Sequence, residues 1–221
     1  MLERIMMKHI QEVREGNMIK NIIFDFGNII VKFNDDEMTS YYTDDKDIKE
    51  FLVDNVINSP EWLGEGLLDL GEISLEDMAN NVNKRTNNIH EKEVYNFSTD
   101  FPNKLKYNGN IINTIKELRN KGYKIYLLSN TCDYVFRLFL DDLKPLFDGM
   151  VLSYKIHEIK PNKPIYEYLL NTYNLNPEEC LFLDDRLANM DTANSLRIKG
   201  RKINQDDYND IVSALIEYNV L

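Results

Sequence analysis

Four short apolar runs dictate most of what this chain can become. Asn21-Ile22-Ile23-Phe24 runs up to Asp25, Lys124 to Leu128 runs up to Ser129, Met150 to Leu152 leads to Ser153, and Cys180 to Leu183 leads to Asp184. Continuous runs of this length predict strands buried on both faces. A weaker fifth spans Ile198 to Ile203. Helical patterns fill the gaps at 111–121, stopped by Gly122, and at 162–173, 187–196 and 206–219. Strands and helices alternating over short connections predict a parallel sheet covered on both sides, with right-handed crossovers. The predicted class is therefore α/β, with a doubly wound, Rossmann-like core.

One stretch breaks this rhythm. From 34 to 108 the chain is polar and helical in period, with few β-branched runs. Ile48, Phe51, Leu52 and Val56 share one face of a segment from Asp44 to Asn58. Ser74 stands as an N-cap before Leu75, and Val94, Phe97 and Phe101 mark another helix ahead of Pro102. The expected organisation is a core of 1–33 and 109–221 carrying a small all-α insertion at 34–108. Leu2, Ile5, Met6, Ile10 and Val13 recur at helical spacing, so 1–17 reads as a helical extension. The competing reading is an upstream start, since Met18 directly precedes the first strand.

Charge and composition exclude several classes. Lys and Arg number 26 against 37 Asp and Glu, a net charge of −11, which repels nucleic-acid phosphates and anionic lipid. No apolar stretch reaches the ~18–20 residues that span a bilayer, and charged residues interrupt any signal-peptide core. Cys132 and Cys180 have no CxxC or histidine-rich neighbourhood and read as buried, reduced thiols of a cytoplasmic protein.

In sheets of this kind, ligands bind beyond the carboxyl ends of the strands. Those ends carry Asp25, then Ser129-Asn130-Thr131, then Asp184-Asp185, while Lys160 follows the third strand directly before Pro161. Each alone has an ordinary explanation as a cap or turn former. Together they suit a phosphoryl group held beside a divalent cation. Asp25, Asp184 and Asp185 are hard oxygen ligands fit for Mg²⁺. Ser129 and Lys160 are donors for phosphate oxygens. Asp25 is also a candidate nucleophile that would form an acyl-phosphate.

These residues, in this order, resemble the haloacid dehalogenase superfamily of hydrolases, most of whose members are phosphatases. The resemblance rests on Ile23-Phe24-Asp25-Phe26-Gly27-Asn28-Ile29-Ile30, Leu127-Leu128-Ser129-Asn130-Thr131, Lys160-Pro161 with Ile165-Tyr166, and Leu183-Asp184-Asp185 with Asn189. It is similar to the glucose-1-phosphate phosphatase-like branch, which carries a helical cap after the first strand; Gly71-Glu72-Ile73-Ser74 looks like part of such a cap. The resemblance implies a Mg²⁺-dependent phosphatase of a small phosphorylated metabolite, with sugar phosphates foremost. It makes Asp25 the nucleophile and a metal ligand, and gives the Gly27 carbonyl to the metal. Ser129, with amides near Asn130, would bind the phosphoryl group, and Lys160 would neutralise charge. Asp185 is the preferred direct metal ligand and Asp184 the orienter of metal-bound water, although these two are interchangeable on sequence. Asn189 would steady the loop or Lys160.

One departure stands out. Relatives carry an aspartate two positions after the nucleophile as general acid and base, help worth ~10²–10⁴-fold; here that position is Gly27. Slow hydrolysis, a water or substrate group serving as the acid, and a good leaving group such as a sugar-1-phosphate all remain open. His157-Glu158 stands where relatives often place glycine; His157 reads as a solvated loop residue, and Trp62 as an anchor of the insertion or a pocket wall. The alternatives to a phosphatase are a 2-haloacid dehalogenase, which needs neither metal nor the second acid, and a non-catalytic binding or regulatory protein on the same fold.

Overall fold

The apolar runs become the strands of one parallel sheet. The computed structural model describes residues 18–221, so the expected N-terminal helix lies outside the described residues. The strands are β1 (Asn21–Phe24), β4 (Lys124–Ser129), β5 (Gly149–Leu152), β6 (Cys180–Asp184) and β7 (Lys199–Lys202), in the spatial order β5-β4-β1-β6-β7. Ile22 stands in register with Ile125 on one side and Leu181 on the other, so β1 is central.

Alternate side chains of each strand feed opposite faces. Ile22, Phe24, Leu127 and Leu183 pack with Ile111, Ile115 and Leu118 of helix α5 (Ile111–Asn120) and with Ile211, Ala214 and Leu215 of α11 (Tyr208–Glu217). Ile23, Leu128, Val151 and Phe182 pack with Ile165, Tyr166 and Leu169 of α9 (Lys163–Thr172) and with Met190 and Ala193 of α10 (Leu187–Ser195). Both faces are buried, which is why the runs lack polar alternation. Cys132 and Cys180 are both buried and free.

Between β1 and β4 the chain makes its helical excursion. It leaves through β2 (Val31–Lys32) and returns through β3 (Lys106–Tyr107), and these two pair antiparallel. Within it lie α1 (Asp35–Ser40), α2 (Lys46–Leu52), α3 (Leu75–Arg85) and α4 (Glu91–Asp100). Ser74 caps α3 as expected, in a capping box with Asp77. The segment expected as one helix over 44–58 divides: after Leu52 it widens into a π-turn, Val53–Ile57, and a second one covers Pro60–Gly64. α1 and the two-residue strands were not foreseen. Their lengths fall below any readable period.

The remaining short helices are α6 (Asp133–Arg137), α7 (Leu140–Leu143) and α8 (Ser153–Ile156). The expected strand end at Ser153 shifts back by one residue, because the ladder stops at the pair Ser129 and Leu152 and Ser153 opens α8. Among the described residues no helix is long and apolar enough to cross a membrane.

Helix–sheet contact is close enough to be tested at one glycine. A Cβ at Gly149 would lie 2.3 Å from the ring of Tyr173, whose hydroxyl is tied to the backbone of Met150 on both N and O. Gly149→Ala is expected to cost about 1–3 kcal/mol through overpacking, read as a lowered midpoint in thermal unfolding; an unchanged midpoint would show that Tyr173 moves aside freely.

Candidate active site

The carboxyl rim of the sheet opens into a cavity of about 420 Å³. Asp25, Gly27, Asn130, Lys160 and Asp185 line it from the loops after the strands, and Asn189 from α10. Asn34, Asp35, Asp36, Trp62, Leu63 and Asp69 line it from the helical excursion, and Arg186 and Gln205 complete the wall. The strand order reverses around β1, where such a crevice is expected.

Lys160 is the centre of the charge arrangement. Its Nζ lies 2.5 Å from Asp25 Oδ1 and 2.8 Å from Asp184 Oδ2, and its residue is only 3% exposed. Burial opposes its charge, but the carboxylates of Asp184 and Asp25 outweigh that and hold its pKa above the ordinary lysine range. Asp25 is raised to about 8, first by burial, with Lys160 pulling the other way and Asp184 and Asp185 adding repulsion. Burial also raises Asp185, against a hydrogen bond from Asn28. Three carboxylates thus share one ammonium.

Side-chain amides fix the geometry. Asp184 is saturated: Lys160 donates to Oδ2, the Arg186 N–H donates to Oδ1 at 2.8 Å, and Asn189 Nδ2 donates to both oxygens at 3.0 and 2.8 Å. Asp185 receives the Asn28 amide at 2.9 Å. Asp25 Oδ1 takes the Phe26 N–H at 2.7 Å along with the ammonium. That directs its second oxygen to other work. Oxygens of Asp25, Asp184 and Asp185 lie within 4.8 Å of one another, and the uncompensated negative charge among them fits a divalent cation bound by hard oxygen donors.

The residues singled out from sequence gather here, with differences in detail. Asn189 grips Asp184 rather than Lys160. Asn130 lines the cavity, but its side chain is spent on the lysine loop: its Nδ2 donates to the Lys160 carbonyl at 2.9 Å, and its Oδ1 accepts the Lys160 N–H at 2.8 Å. Ser129 is fully buried, its hydroxyl donating to the Asn130 carbonyl at 3.3 Å, and it is not among the cavity-lining residues. Gly27 lines the cavity with room to spare, since a Cβ there would meet only Phe33 ring carbons at 3.7 and 3.8 Å. Trp62 does both things expected of it: it lines the cavity and stacks on Phe101 at 4.6 Å. His157 is exposed, yet its Nδ1–H donates to the Leu70 carbonyl at 2.9 Å.

Sequence reasoning passed over Asp69, Arg186 and Gln205. Asp69 is 8% exposed although it lies in a turn. The bracketing glycines Gly66 and Gly71, both with positive φ, were the available signal for a tight turn there.

Comparison with known proteins gives a consistent picture. A profile of the haloacid dehalogenase-like hydrolases matches residues 22–200. A D-ribitol-5-phosphate phosphatase of Bacteroides thetaiotaomicron is 28% identical over 191 residues, covering 81% of this chain and 89% of that protein. A phosphorylated carbohydrates phosphatase of Thermotoga maritima is 27% identical over 156 residues, covering 70% of this chain and 68% of its own. An HAD family enzyme of Bacteroides thetaiotaomicron, solved with magnesium and inorganic phosphate, shares the fold with a TM-score of 0.63 at 19% identity, over 86% of this chain and 96% of that one.

The raised Asp25 carboxyl has a consequence for stability. Its folded-state pKa lies above the ordinary value, so the proton-bound form is the one the fold favours. That contribution is complete below about pH 4 and is lost as pH rises toward about 8. In metal-free buffer, the thermal midpoint of the parent should fall relative to Asp25→Asn between pH 5 and pH 8. Parallel pH profiles would show an unperturbed carboxyl.

Proposed function

The chain belongs to the haloacid dehalogenase-like hydrolase family, and on that footing we propose that it is a phosphatase of small phosphorylated carbohydrates or polyols working through a phosphoryl-Asp25 intermediate. The observation carrying this reading is Asp25 itself. It is a buried carboxylate at a strand end, with one oxygen tied down by Phe26 N–H and Lys160, facing a cavity shared with two more carboxylates. The substrates named for the two curated relatives favour the carbohydrate class.

In this reading the second oxygen of Asp25 attacks phosphorus, and Lys160 offsets the charge that builds between nucleophile and phosphoryl group. Amides around Asn130 would hold phosphoryl oxygens, and Ser129 would join them only if its buried hydroxyl turned from the Asn130 carbonyl toward the cavity. Mg²⁺ would be held by Asp25, the Gly27 carbonyl and Asp185, the last preferred because Asp184 is already saturated by four hydrogen bonds. Bound there, the cation would balance the surplus negative charge and polarise the phosphoryl oxygens. We read 34–108 as a cap on a core of 1–33 and 109–221, meeting the part of the substrate beyond its phosphate. Two buried thiols and an acidic surface fit a cytoplasmic enzyme of small metabolites that has no nucleic-acid partner. Dehalogenation fits less well. Without a metal, three carboxylates against one ammonium would repel a 2-haloacid.

A panel of sugar and polyol phosphates, including sugar-1-phosphates, tests the reading. Turnover should require Mg²⁺, stop on chelation, and fall to background in Asp25→Asn. A variant as active as the parent would remove Asp25 from the mechanism, and 2-haloacid turnover surviving chelation would favour the dehalogenase. In calorimetry without substrate, Mg²⁺ should raise the unfolding midpoint, and by more at pH 8 than at pH 5.5, because ionised carboxylates bind it; no shift at either pH would argue against a metal among these residues.

A further inference from the structure

The phosphatase reading leaves one chemical need unmet. An alkoxide leaving group must be protonated, yet Gly27 and the engaged Asn28 amide cannot supply a proton. Steric demand does not explain the glycine, because a side chain would fit at Gly27.

Asp69 stands on the other wall of the same cavity. It is 8% exposed, and among the described residues its carboxyl has no hydrogen bond or ion pair. Its main chain, by contrast, is firmly placed. The buried Ser153 hydroxyl lies 2.5 Å from the Asp69 carbonyl and 3.1 Å from that of Thr131, and it accepts the Thr131 N–H at 2.9 Å. A turn from the helical excursion is thereby seated beside the end of β4. Directly after Asp69, His157 binds the Leu70 carbonyl, and Gly71 lies against Tyr154 so closely that a Cβ would sit 3.1 Å from it.

In-line displacement places the leaving oxygen opposite the attacking one. Asp25 at the strand end and Asp69 on the helical excursion line the same cavity, so a phosphoryl group bound between them would turn its leaving oxygen toward Asp69. We propose that Asp69 is the general acid and base of this enzyme, standing in for the aspartate absent at position 27; the proposal rests on the phosphatase reading above. In the first half-reaction Asp25 bonds to phosphorus, the P–O bond to the alcohol breaks, and the Asp69 proton passes to the departing oxygen. In the second, the Asp69 carboxylate takes a proton from water as its oxygen attacks phosphorus, the bond to Asp25 breaks, and inorganic phosphate leaves with Asp69 protonated again.

The surroundings suit both forms. Burial pushes the Asp69 carboxyl up to about 7, while Arg186 and Lys160 pull it down. Asp25, Asp35, Asp36 and Asp185 line the same cavity, and Cys132 is within its electrostatic reach. An acid poised near neutrality is the efficient kind.

Leaving-group dependence tests the assignment. For the best sugar or polyol phosphate of the panel, Asp69→Asn should lower kcat by ~10²–10⁴-fold. With 4-nitrophenyl phosphate, whose phenolate leaves unaided, the same variant should release a first equivalent of nitrophenolate at the parent's rate and then turn over slowly. That burst also reports a folded, competent Asp25. Unchanged kcat on the alkyl phosphate, a rise confined to KM, or an equal loss in the nitrophenolate burst would each overturn the role of Asp69 and leave the phosphatase standing. A parent that releases no nitrophenolate and hydrolyses no alkyl phosphate would overturn both.

Discussion

Lys160 holds its charge in a place where charge is costly, and the rest of the site follows from how that cost is met. An ammonium 3% exposed is tolerated only beside carboxylates at hydrogen-bonding distance. Asp25 and Asp184 come from β1 and β6, adjacent strands in the sheet, while the lysine arrives on the loop after β5. The reciprocal amide pair between Asn130 and the Lys160 backbone fixes that loop, and Asn189 and the Arg186 N–H fix Asp184. Each acid is oriented by donors of the chain itself, so the arrangement exists before any substrate arrives. Preorganised dipoles and charges of this kind need no rearrangement as charge develops.

The same arithmetic bears on what the site would bind. One ammonium answers three carboxylates, and the strain of the remainder falls on Asp25. A divalent cation bound there would relieve it, and so would the proposed chemistry. In the proposed reaction, converting the Asp25 carboxylate into an acyl-phosphate would move charge from the crowded oxygen to the phosphoryl group.

Much of this was legible in the sequence because parallel strands leave a plain signature. Apolar runs buried on both faces carry no alternation, and the polar residue closing each one must lie at the rim. Asp25, Ser129, Asp184 and Asp185 were placed at the rim on that ground, and Lys160 by following the third strand directly before Pro161. What stayed hidden depends on tertiary docking. Asn130 and Asn189 are both amides following strands, and nothing local says that the first serves the lysine and the second Asp184. Asn28 reaches Asp185 only through a backbone at φ 58, a conformation asparagine tolerates but does not announce. Asp69 was the hardest to see. Its neighbours look like a surface turn, and its burial is created by the seat it finds against Ser153. The π-turns escaped for another reason: a widened helix has no period that an α-helical pattern would catch.

The turn bearing Asp69 is fastened to the core through its own carbonyls, with the anchoring side chains contributed by Ser153 and His157 across the boundary. A carbonyl is present whatever residue carries it. The turn's side chains can therefore be exchanged without loosening the mount on which they stand, and only at Asp69 would the proposed chemistry be lost with them.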